Sequence, residues 1–278
     1  MSFRTDLKTF RFAAWLGWQA ESNWTDPYLF SIYSVIRPLA GTLLVVIMYW
    51  FMGAPREVFY FMFVGNAFYM YIFNVMFGVS WIIHEDREHY QTLKYLYISP
   101  SNFYYYMFGR SVSRVLVTTM AVLITLVFGV LALGVPIDPF RINYPMLVLV
   151  LFIGLAGIAS FGVALSGVAL VTARHRGMMH EALSGFFYLF CGVIFPLSVL
   201  PGWGQAIGHA LPTTYWLELV RRAMIGAGDP TLAGVGDAQV FAVLVVSTVL
   251  FAVMSILVFR LGDRVARRKG LIDMTTHY

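Results

Sequence analysis

The sequence predicts an all-α, polytopic membrane protein: six transmembrane helices, an interfacial N-terminal helix, and an outer re-entrant helical hairpin before the last span. Three observations lead there. Hydrophobic residues fill 59% of the 278 positions and charged residues 12%, against about 25% charged in a soluble domain, and the mean hydropathy is +0.74. Five apolar runs, at 31–52, 58–83, 112–134, 145–172 and 240–259, reach the roughly 20 residues that cross the hydrocarbon core. A sixth, 182–200, is interrupted by Pro196 near its end. The spans must be helical, because a helix satisfies its own backbone hydrogen bonds in lipid. All 278 residues are read as a single transmembrane domain.

Residues 1–27 form the first element. Phe3, Leu7, Phe10, Ala14 and Trp18 fall near one side at helical spacing, with Arg4, Lys8 and Arg11 on another. That suits a helix lying in the membrane interface, with Trp15, Trp18 and Trp24 at headgroup level. Charges run through the first 30 residues without a clean apolar core, so no signal peptide is expected. Span one carries Arg37-Pro38 about two turns from its inner end, close enough for the arginine to reach the headgroups. Gly53-Ala54-Pro55 turns the chain into an aromatic-rich second span containing Asn66 and Asn74. Its aromatics are expected against lipid or neighbours, with substrate lining as the alternative, and its asparagines against another helix. Span four repeats small residues four apart, Ala156-Ser160-Ala164 and Gly162-Ser166, a pattern that lets helices approach closely. The loop 173–180 is short and basic. From Pro196 to Asp237 the sequence is too broken by proline and glycine to span, yet too apolar for a solvated loop. It reads as a break at 196–201, a short returning helix, and a second helix capped by Thr213 or Thr214. Such backbone survives at membrane depth only where protein covers it or it lines a cavity.

Lysine and arginine set the orientation. With both termini inside, all 19 basic residues except Arg56, Arg141, Arg221 and Arg222 fall on the inner side. The net charge of +5 is therefore mostly topological bias, and no basic patch on a soluble domain points to nucleic acid. The single cysteine, Cys191, excludes an internal disulfide and a cysteine-based metal cluster. His84-Glu85 begins like a zinc helix, but the next histidine is His89, five residues on, where HExxH needs four. No phosphate-binding GxxxxGK[ST] loop is present, so any ATP and magnesium chemistry belongs to a partner chain. The spans hold no mid-membrane acid or lysine of the kind that relays ions.

Two stretches together resemble the permease subunit of type-2 ATP-binding-cassette (ABC) exporters. Gln91-Thr92-Leu93-Lys94-Tyr95-Leu96-Tyr97-Ile98-Ser99-Pro100 is similar to the family's G-T-L-E-x-L-x-x-S/T-P pattern between spans two and three, with Gln91 at the glycine and Lys94 at the acid. Pro196, Pro201, Pro212, Tyr215, Glu218 and Arg221 are similar to its P-x-x-x-x-P … P-x-x-Y-x-x-E-x-x-R pattern before the last span. The resemblance implies that residues 84–107 form a cytoplasmic coupling loop seated in a separate ATPase subunit. Glu85, Arg87 and Glu88 would give it a charged start, and Tyr90, Leu93 and Tyr97 one apolar face. Thr92 lies within the motif, Ser99-Pro100 ends the helix, and Ser101 or Asn102 caps the next. It also implies a second permease copy or close paralogue, and the cytoplasmic (inner) membrane of a prokaryote. The expected activity is export of an amphipathic or hydrophobic, drug- or antibiotic-like compound. A lipid-linked glycan is the alternative cargo; an ion-coupled carrier and an assembly or signalling subunit without transport are the rival classes.

Overall fold

The computed structural model describes residues 3–23, 25–53, 55–99, 102–172 and 176–272. Trp24, Pro100, Ser101 and residues 173–175 lie outside them. Every regular element among the described residues is helical. The helices are α1 (Phe3–Ser22), α2 (Pro27–Met52), α3 (Arg56–Tyr71), α4 (Phe77–His84), α5 (Leu93–Ile98), α6 (Phe103–Leu133), α7 (Tyr144–Val171), α8 (Arg176–Phe190), α9 (Gly202–Ala210), α10 (Pro212–Ile225) and α11 (Asp237–Arg268).

Among the described residues, five rods are long and apolar enough to cross a bilayer: α2, the continuous rod Arg56–His89, α6, α7 and α11. The rod Arg56–His89 joins α3 and α4 through a π-helical turn at Ile72–Met76 and ends in a second at Glu85–His89. It is the most buried of the five. The aromatics of its second-span sequence pack inward: Phe59, Phe63, Phe68 and Tyr71 belong to the core, and Phe68 and Tyr71 meet Trp216 of α10 edge-on. Asn66 accepts a hydrogen bond from Tyr188 of α8 at 3.3 Å, an interhelical contact as the sequence suggests. The small-residue stripe of α7 packs within the chain, where Ser166 donates to the Val79 carbonyl at 3.2 Å.

α1 lies along α6. Its packed face is Ala13 and Gly17, which let the backbones come close: a side chain at Gly109 of α6 would collide with Phe10 and Ala13. The larger apolar residues Leu7, Phe12, Trp15 and Trp18 stay exposed, where lipid would cover them.

The expected sixth crossing at 182–200 is not one helix. Among the described residues α8 runs from Arg176 to Phe190, 15 residues or about 22 Å at 1.5 Å per residue, and it ends ten residues before Leu200. The break comes before Pro196, at Gly192, whose φ of +66° lies in the left-handed region that glycine adopts without steric cost. Arg221 of α10 secures it: its Nη2 donates to the carbonyls of Gly192 at 2.7 Å and Val193 at 2.9 Å, and its Nε to Phe61 at 3.2 Å. The two helices read from the 196–237 stretch are α9 and α10, with α10 packed on α7 and α11. α10 starts at Pro212, one residue before the expected caps. Thr214 instead donates to the Gly208 carbonyl at 2.7 Å, and Thr213 contacts Cys191.

Candidate functional site

The segment between the rod Arg56–His89 and α6 is built from inside the chain. Its acidic start belongs to the last turn of the rod, not to the first turn of α5. A carboxylate at a helix C-terminus is disfavoured by the helix dipole, so external cations must hold it. Glu85 accepts from Arg110 Nη2 at 2.6 Å and from Arg114 Nη2 at 2.8 Å, both on α6. Arg114 also pairs with Glu21 of α1. Burial pushes the Glu21 carboxyl above the usual range, and the Arg114 charge only partly offsets it. Asp86 is buried and accepts from the Tyr106 hydroxyl at 2.8 Å. Arg87 is buried as well, 3.3 Å from Glu88 and reaching the Leu170 carbonyl at the end of α7 at 3.5 Å. Glu85, Arg87 and Glu88 are thus an internal anchor among α1, α6 and α7, where the sequence suggested a charged rim.

The chain then reverses at Gln91, whose φ of +52° lies in the left-handed region. This is the position where the permease pattern has glycine, and the conformation explains why: glycine adopts it without the steric cost a Cβ adds. The Thr92 amide donates to the Asp86 carbonyl at 2.7 Å and closes the turn.

α5 is six residues long, and its orientation corrects the expected apolar face. Leu93 is 1% exposed. The Tyr97 hydroxyl donates to Asp263 of α11 at 2.8 Å, its ring stacks on Phe103 at 5.6 Å, and the Arg267 guanidinium lies 4.5 Å above it. Burial and the Asp263 carboxylate raise the Tyr97 pKa, keeping the hydroxyl a donor. Phe103 stacks in turn on Phe259. Leu93 and Tyr97 therefore fasten α5 to its own bundle. The outward face is Tyr90, Lys94, Tyr95 and Ile98, with Tyr95 60% and Ile98 80% exposed. Of the expected residues that are described, only Tyr90 is exposed. Pro100 lies outside the described residues, and Asn102 caps α6 by accepting from the Tyr104 amide at 3.0 Å.

At the other end, Glu218 is buried, accepting from Arg222 Nε at 2.6 Å and the Asp229 amide at 2.7 Å. Asp229 accepts from the Leu197 amide at 2.7 Å, just after Pro196. Tyr215 donates to the His209 carbonyl at 2.7 Å. Pro196 and Pro201 precede a 3₁₀ turn and α9, and Pro212 opens α10. The six motif residues form one bracket around the broken segment. Arg222, Asp229 and Asp263 carry as much of this bonding as the expected residues. In sequence they are only charges near an end or a turn.

Bilayer-length helices around two internally braced segments define a multi-pass α-helical membrane protein. The ABC-2 type transporter family matches residues 11–225, so the chain belongs to that family and is the membrane component of an ABC transporter. A comparison with curated proteins gives no match.

Proposed function

We propose that this chain is the permease of an ATP-driven exporter in the inner membrane of a prokaryote. Both of its termini and the 84–107 loop face the cytoplasm. A separate nucleotide-binding subunit hydrolyses ATP with magnesium, and a second permease copy completes the conduit. The cargo is amphipathic or hydrophobic. The observation that carries the reading is α5: its inner residues are pinned to α11 through Tyr97–Asp263, while Tyr95 and Ile98 stand exposed beside Lys94. A short helix fastened rigidly on one side and bare on the other transmits a push from a partner to α1, α6, α7 and α11 together. Exposed aromatic and aliphatic anchors beside a charge match the composition of protein interfaces.

α8, the break at Gly192 and the α9–α10 pair serve as the sixth, interrupted crossing and its outer re-entrant hairpin. Arg221 and Glu218 supply the hydrogen bonds that such backbone needs away from water. The test is transport in vesicles containing both subunits. ATP-dependent, vanadate-sensitive accumulation is expected, and transport that persists without any ATPase subunit would overturn the reading in favour of an ion-coupled carrier.

A further inference from the structure

A cavity of about 770 Å³ opens between α2, the rod Arg56–His89 and α6, within the size range of small-molecule sites. Its wall carries an aromatic cluster, with Tyr33 of α2 and Tyr69, Phe73 and Trp81 of the rod. The π turn at Ile72–Met76 contributes Phe73 and Asn74 to this wall, and such turns recur at functional sites. Four charged side chains line the cavity, together with His84 and His89. Three of the four are committed to one another: Arg114 holds both Glu21 and Glu85. The fourth is Arg37, which makes no ion pair among the described residues; its guanidinium rests 5.6 Å from the Tyr33 ring.

Arg37 sits ten residues into the 26-residue α2, about 15 Å from its start. The long stem of an arginine at this depth lets its head lean toward the headgroups and keep its charge, and a charge on a spanning helix is a candidate functional position. Here it borders a cavity whose acids are already neutralised. The uncommitted electrostatic capacity of the site is positive, and the rest of its lining mixes aromatic, aliphatic and neutral polar side chains.

We infer that this cavity binds an amphipathic anion, a phosphate or carboxylate head on Arg37 with its apolar body against the aromatic wall. The inference rests on the permease reading only in naming such a molecule as cargo; the binding itself does not depend on it. A bilayer lipid and a soluble amphiphile share this chemistry.

The experiment measures binding of dodecyl phosphate to the purified chain in nanodiscs of zwitterionic lipid, against dodecyltrimethylammonium as the cationic control. Wild type is expected to prefer the phosphate. Arg37→Gln should weaken it by about tenfold or more, the worth of one charge-assisted contact, without weakening the cation. Arg37→Lys should recover much of the affinity, which separates lost charge from lost folding. Repeating the titration with phosphatidylglycerol in the disc identifies the source: competition marks a bilayer lipid as the occupant, and its absence marks a soluble amphiphile. Equal affinity of wild type and Arg37→Gln for dodecyl phosphate, or preference for the cation, would overturn the site and leave the permease reading standing. ATPase-independent transport would overturn that reading and leave this measurement untouched.

Discussion

At the scale of single residues, Gln91 shows how one dihedral angle explains a motif. Its φ of +52° costs a non-glycine residue about 1–2 kcal/mol, partly offset because glycine gives up about 0.5–1 kcal/mol more chain entropy. Gln91→Gly should therefore be neutral to about 1 kcal/mol stabilising in thermal unfolding of the detergent-solubilised chain. Gln91→Val, β-branched at the same angle, should lower stability by about 1–2 kcal/mol. Equal melting of all three would refute the assignment of strain to this turn. Arg221 makes the complementary point. Its sequence position marks it as an outer charge beside Arg222, yet it is 2% exposed and spends its guanidinium on carbonyls from the break after α8 and from α3.

At the scale of elements, the joint among α1, α6 and the end of the rod turns on Glu85. Arg110, paired with it at 2.6 Å, is itself buried, so Glu85→Gln breaks the ion pair of a buried cation and leaves it only the Asp86 charge nearby, which should cost about 3 kcal/mol. Glu21→Gln should cost less than about 1 kcal/mol, because burial opposes the charged form of Glu21 and its partner Arg114 is partly exposed and keeps Glu85. Chemical denaturation of the two variants side by side checks the order, and a larger loss for Glu21→Gln would reverse the account. The five long helices were legible from apolar runs, since length and composition alone decide which segments cross. The rod's continuation through Glu85 and Asp86 was not: the partners that make charges tolerable there, Tyr106, Arg110 and Arg114, come from the next span. Periodicity found the face shared by Leu93 and Tyr97 but could not say which way it turned, because Asp263 and Phe259 lie on the last helix. The early end of α8 was hidden for the same reason, with Pro196 the visible breaker and Gly192 the actual one.

At the scale of the whole molecule, two braced segments sit at opposite ends of the rod Arg56–His89: the α5 loop, held by Glu85, Asp86 and Tyr97, and the α8–α10 bracket, held by Arg221 and Glu218. The rod joins them, and the Arg37 cavity lies along its side. The central claim is that α5 receives its push through the outward face. It is tested most directly by co-purifying the chain with its nucleotide-binding subunit after Tyr95→Asp and Ile98→Asp, singly and together. The account predicts that the chain remains folded and inserted, that the double variant loses the ATPase subunit, and that vesicle transport falls with it. Wild-type co-purification and transport in the double variant would contradict it.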